Sequence, residues 1–120
     1  IALKFKKSRQ YSQSRSYALK ALKFQPSMGS AYLLIGNLYA SRANNCGTSQ
    51  FEKRAIYWLA AKEAKKASAV DASVRRIARK TALSYEGRAP SKTDIFSEAM
   101  GGKIISIKCW IGKSIKVPSL

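Results

Sequence analysis

There is no histidine among the 120 residues, so no imidazole base, catalytic triad or usual zinc ligand set can be assembled from them. Acidic residues are nearly as scarce. Glu52, Glu63, Asp71, Glu86, Asp94 and Glu98 are the whole supply, and they are scattered, mostly at positions that suit helix caps or surface ion pairs. The two cysteines, Cys46 and Cys109, cannot complete a tetrahedral zinc site unless carboxylates join them. A phosphate-cradling glycine loop is missing, because Gly101-Gly102-Lys103 lacks the rest of that motif. No apolar run approaches the ~18 residues that a membrane-spanning helix needs. With only 7 Gly and 3 Pro beside 46% apolar residues, the composition is that of a packed chain and not of a disordered one. Its length is that of a single domain. Together these absences lead us to expect no enzyme, no cofactor and no metal.

Positive charge is what the chain has in excess. Its 23 basic residues less 6 acidic ones leave +17, more than lysines and arginines merely decorating helices would produce. Such a field attracts polyanions before any specific contact forms. Three partner classes fit it: nucleic acid, anionic lipid or lipopolysaccharide at a membrane surface, and an acidic protein. Nucleic-acid modules usually set aromatics beside the basic patch, whereas most aromatics here fall at repeating core positions.

That repetition is the strongest pattern in the chain. Tyr32, Ile35, Gly36 and Tyr39 follow the spacing aromatic-x-x-aliphatic-Gly-x-x-Tyr. Ala2 and Phe5 lie 34 residues before Gly36 and Tyr39, and Ala82 and Tyr85 lie 46 residues after them. The longer offset equals the shorter one plus a 12-residue insertion. A second register carries the same 46-residue offset: Ser14, Ala18 and Ala21, ending in Pro26, match Ala60, Ala64 and Ala67, ending in Ala72. Residues three apart share a helix face, so the small member of each pair admits a neighbouring helix and the aromatic fills the gap beside it. Gly36 costs a helix about 1 kcal/mol relative to Ala, and close approach is the expected compensation.

Read for elements, the chain begins with the end of a helix to about Lys7, then a polar turn over residues 8–12 and a partner helix over 13–24, closed by Pro26. As Ala2 and Phe5 fall late in that first helix, the chain is expected to enter its stack partway through a hairpin. Ser27 or Ser30 caps a helix over 31–43. Asn44, Asn45, Cys46, Gly47, Thr48 and Ser49 form a turn-rich insertion. A long helix over 51–69 follows, then one over 74–85, capped by Asp71 or Ser73 and ended by Gly87 and Pro90. Residues 91–100 read as a short capping helix halted by Gly101-Gly102. Ile105, Ile107, Cys109 and Ile111 alternate with Ser106, Lys108 and Trp110, the period of a strand. Gly112-Lys113 suits a two-residue turn into a return strand through Ile115 and Val117, with Ile115 opposite Trp110.

These residues resemble the tetratricopeptide repeats, whose signature is Trp-x-x-Leu-Gly-x-x-Tyr, then Ala-x-x-x-Phe, then Pro. Tyr32 stands for the Trp and Ile35 for the Leu. The stretch from Tyr17 through Tyr39 is similar to repeat proteins of Bacteroidetes bacteria. Ala18, Ala64, Ala72 and Ala78 depart from the signature, and the likeness covers roughly residues 1–87. HEAT or armadillo repeats would explain the 46-residue offset but not the 34-residue one.

The resemblance implies a mainly α fold, an α-solenoid of antiparallel helical hairpins with a short C-terminal β-hairpin cap. Residues 1–90 would form the repeats, the first truncated and an insertion near 43–51, and residues 91–120 the capping helix and hairpin. It also implies a noncatalytic protein-binding scaffold whose concave groove is lined by the first helix of each hairpin. Carried over, that groove comprises Leu3 and Lys6, then Ser30, Leu33, Asn37 and Ala40, then Arg76, Arg79, Leu83 and Glu86. Asn37 and Arg79 match a clamp that one branch of the family closes on a peptide carboxylate. Leu3 and Leu83 stand where that clamp has polar groups, so a general protein-binding groove is the reading.

On their own, the cysteines leave two readings open: two reduced, partly buried thiols, or a bond that tethers the hairpin to the middle repeat. The resembled proteins carry an Asn-Cys-Gly-like insertion and a terminal Cys-Trp-Ile strand. That likeness implies a Cys46–Cys109 disulfide and a place on the periplasmic or cell-surface side of a bacterial envelope, associated with the outer membrane within a larger complex. The alternative from another class is a basic polyanion-binding module for nucleic acid or an anionic envelope glycolipid.

Overall fold

A computed structural model describes the chain from Ala2 to Ser119 apart from Thr48 and Lys108, with side-chain surroundings from Gln10 onward. It is mainly helical, with a two-stranded antiparallel hairpin near the C-terminus. The side chains of Ala2, Leu3, Phe5 and Lys6, to which the sequence assigned packing and groove roles, lie outside the described set.

Helix α1 spans Ala2–Phe24 without a break, so the turn expected over residues 8–12 does not form. Ser-Arg-Gln-Tyr-Ser holds neither glycine nor proline, and none of these residues costs a helix more than about 0.7 kcal/mol relative to Ala. Pairs assigned to two helices therefore share one.

Helix α2, Gly29–Ser41, starts without either expected serine cap. Met28 stands at the cap position and makes no side-chain bond there. The Gly29 N–H instead donates to Asp71 Oδ2 at 2.9 Å, from 42 residues away in sequence. Position 29 has no room for a side chain, because a Cβ there would lie 2.5 Å from Val74 Cγ2 and 2.7 Å from Asp71 Cβ. The second Asp71 oxygen accepts from the Ser73 hydroxyl at 2.6 Å and from its N–H at 3.0 Å. These bonds, that of the Ser73 hydroxyl foremost and that of the Gly29 amide next, hold the Asp71 carboxyl below the usual range.

The expected insertion contains one helical turn, α3, over Ala43–Cys46. Helix α4, Gln50–Val70, begins at Ser49, whose hydroxyl accepts from the Glu52 N–H at 3.1 Å. It is the central element and packs on α2 and on α5, Arg75–Arg88. Ala55, Ala60, Ala64 and Ala67 of α4 are fully buried, and such small residues let neighbouring helices come close. At the α2 contact a Cβ on Gly36 would lie 2.9 Å from the Ala60 carbonyl oxygen and 3.4 Å from Glu63 Cβ.

Asp71 caps the short 3-10 turn Ala72–Val74, and α5 begins after it. Helix α5 runs through Gly87, where a stop was expected, and ends one residue later. Ala89 then turns extended, at φ −71° and ψ 166°, because the ring of Pro90 drives the preceding residue out of the helical region. Helix α6 covers Lys92–Ser97, shorter than the expected 91–100, and opens with a reciprocal capping box between Ser91 and Asp94. The chain reverses at Ala99, φ +52°, before the two glycines are reached.

Strands β1, Ile104–Ile107, and β2, Lys113–Lys116, pair with Ile105 opposite Ile115 and Ile107 opposite Lys113. The expected pairing of Ile115 with Trp110 does not occur, and the two-residue turn at Gly112-Lys113 gives way to a longer connection. Lys108, assigned to the strand, lies outside the described residues. A covalent tether explains the shorter ladder: Cys109 is bonded to Cys46 of α3, which draws the chain out of the sheet once Ile107 has been placed. Ile105, Ile107, Ile111, Ile115 and Val117 then join Ile35, Tyr39, Ile56 and Leu59 in one core. Among the described residues no helix is long and apolar enough to cross a membrane.

Candidate functional site

Helices α1 and α4 both pack on α2, and the space above α2 is a groove of about 660 Å³. Arg15, Leu19, Leu22 and Lys23 line it from α1, at the i, i+4, i+7, i+8 spacing of one helix face. Tyr32, Ile35 and Tyr39 come from α2, Glu63 and Lys66 from α4, and Ile111, Gly112 and Lys113 from the hairpin. The interior is therefore aliphatic and aromatic, with four cations set around it.

Arg15 fixes the hairpin end. Its Nη1 donates to the Ile111 carbonyl at 2.7 Å and to Tyr39 Oη at 3.3 Å, and its Nη2 donates to the Trp110 carbonyl at 2.8 Å. The guanidinium lies 5.2 Å from the Trp110 ring centre. Tyr11 stacks on the same indole at 5.9 Å, and Arg42 covers Tyr11 at 4.9 Å. Cation and ring faces alternate favourably in this way, so α1 is held to a loop some 95 residues further along the chain. Trp110 Nε1 is buried without a hydrogen-bond acceptor among the described residues. The ring thus serves through its faces and not through its donor.

Glu63 is the one buried charged residue among those described. Lys66 Nζ lies 3.5 Å from its Oε1 and 5.9 Å from the Tyr32 ring centre. Lys66 is thereby poised over the groove, its charge partly offset by Glu63. Lys23 and Lys113 are exposed at the rim and have no ion-pair partner among the described residues.

The residues assigned to a groove from sequence are distributed differently. Ser30 and Asn37 are exposed and Leu33 and Ala40 half-buried, outside the large groove, to which α2 contributes Tyr32, Ile35 and Tyr39. Arg79 and Leu83 line a separate crevice of about 370 Å³ with Lys65, Ser68, Ala82 and Glu86, and Arg76 is exposed on α5. Tyr32 and Tyr39, assigned to packing, wall the large groove. Ala82 is buried, and the Tyr85 ring meets Tyr57 at 6.2 Å. Arg15, Leu19, Leu22, Lys23, Lys66 and Lys113 were missed as site residues. The face shared by the first four was legible, but its closure by Lys66 and Lys113 depends on tertiary packing.

Among the described residues no three His, Cys, Asp or Glu are grouped to hold a metal ion. The chain matches no protein-family model, no curated protein and no solved structure. Fold and site together describe a mainly helical protein with a disulfide-tethered β-hairpin and a cation-rimmed groove.

Proposed function

We propose that the chain is a noncatalytic interaction module, a short tetratricopeptide-type stack of helices that holds an acidic, partly apolar segment of a protein partner in the groove between α1 and α4. The observation that carries this reading is the composition of the groove. Leu19, Leu22 and Tyr32 offer apolar contact, while Arg15, Lys23, Lys66 and Lys113 surround it with positive charge. Apolar anchors supply affinity and rim charges supply orientation and on-rate. The repeat spacing around Gly36 supports the stack. The Cys46–Cys109 bond supports a place in an oxidising compartment, which we assign to the periplasmic or cell-surface side of a bacterial envelope, within a larger assembly.

Fluorescence anisotropy with a labelled amphipathic peptide of glutamate and leucine tests the site. Lys66→Glu, Lys113→Glu and Leu19→Asp are each expected to weaken binding about tenfold at physiological salt, the scale of one lost rim charge or apolar anchor. Binding that disappears on raising salt and is indifferent to Leu19→Asp would overturn the groove reading in favour of general polyanion attraction.

A further inference from the structure

We infer that the outward face of α5 is a docking surface for an anionic lipid bilayer. This surface is separate from the α1–α4 groove and does not depend on what the groove holds. Helix α5 turns Ala78 and Ala82 into α4, where both are buried. At 100° per residue, Arg76 and Lys80 point away from that contact, with Arg79 and Leu83 on one flank, at the mouth of the crevice they share with Lys65 and Ser68, and Ile77 on the other. Ile77 is 64% and Leu83 69% exposed. Two large aliphatic side chains therefore stand among three cations on one free face.

The charge on this face is not balanced within the chain. The one acid of α5 is Glu86, and Lys65 Nζ already holds its Oε1 at 2.6 Å. Arg75 is turned aside, its Nε donating to the Ser68 carbonyl at 3.0 Å. Arg76, Arg79 and Lys80 have no ion-pair partner among the described residues, so the face presents three uncompensated positive charges.

A second copy of the chain would bring the same cations against themselves, which repels. Nucleic acid satisfies the cations, but its sugar-phosphate surface gives no apolar seat to Ile77 and Leu83. The described outward positions of α5 also offer no aromatic ring to stack on a base. A bilayer interface satisfies both halves of the face. Headgroup phosphates meet the arginines and the lysine, and the acyl boundary just beneath receives the aliphatic side chains.

Cosedimentation of the intact, oxidised chain with vesicles tests the inference. Partition is compared between pure phosphatidylcholine and the same lipid mixed with phosphatidylglycerol, at moderate salt. Binding is expected to the mixed vesicles and not to the neutral ones. The triple variant Arg76→Gln, Arg79→Gln, Lys80→Gln should lose on the order of 100-fold in partition, the scale of three surface cations near an anionic leaflet. Ile77→Ser with Leu83→Ser should lose about tenfold with all charge retained. A control triple of equal charge, Lys92→Gln, Lys103→Gln, Lys116→Gln, should lose far less. Equal losses in the two triples would reduce the effect to net charge and overturn the inference. So would a vesicle affinity indifferent to the serine pair, or an α5 triple that abolishes binding to a short DNA duplex while leaving vesicle binding intact. All these positions are exposed, and far-ultraviolet circular dichroism confirms that each variant is folded.

Discussion

At Gly36 helix α2 comes close against α4, and the reason it is glycine is a distance. An added Cβ would meet the Ala60 carbonyl oxygen at 2.9 Å, and a backbone oxygen cannot rotate away as a side chain can. In an isolated helix alanine would be better by about 1 kcal/mol. Here the overpacking of a tight contact, about 1–3 kcal/mol, outweighs that gain. Gly36→Ala is therefore expected to lower the urea midpoint, and Gly36→Val to lower it further. An unchanged or raised midpoint for Gly36→Ala would mean that α2 and α4 are not held at this separation. The repeat spacing pointed to Gly36 from sequence alone. Nothing comparable pointed to the bond from Gly29 to Asp71, because a serine within two residues of a helix start is the obvious local cap. A carboxylate arriving from the far end of α4 leaves no local trace.

At the scale of elements, the hairpin is the part that rearranged most between sequence and structure. Alternating isoleucines announced a strand, and Ile105 and Ile107 do pair with β2. The alternation continues through Cys109 and Ile111, but the ladder does not. A disulfide and the Arg15 clasp take the chain over at that point. Helix α1 rearranged for the opposite reason: serines and a glutamine looked like a turn, yet they carry no breaker and the helix passes through them. Closing a loop of 63 residues restricts the unfolded chain by about 4 kcal/mol in the chain-entropy model. Cys46→Ser with Cys109→Ser should accordingly cost about that much in denaturant unfolding. A reducing agent should bring the wild-type midpoint down to that of the double variant and leave the variant unmoved. A wild-type midpoint unaffected by reduction would show that the bond contributes nothing to the stability of the fold.

Over the whole molecule, +17 is a self-repulsion that compaction makes worse. The few carboxylates with described roles are already engaged, Asp71 at its caps, Asp94 with Arg54, Glu86 with Lys65 and Glu63 with Lys66. Screening should therefore stabilise the fold. The thermal midpoint is expected to rise as salt increases from about 0.01 M to 0.15 M, over which the Debye length shrinks from about 30 Å to 8 Å. A midpoint that falls with salt would mean that these surface pairs matter more than the repulsion. Sequence by itself determined the excess of positive charge, the helical content, the terminal hairpin and the two cysteines available to bond, because composition, periodicity and turn chemistry act over a few residues. The tertiary structure alone decided which groups meet: Asp71 with Gly29, Arg15 with the carbonyls of Trp110 and Ile111, and Lys66 and Lys113 across from Leu19. Those contacts join segments tens of residues apart, and what selects them is the packing of α4 between its neighbours together with one covalent bond, not any pattern local to either partner.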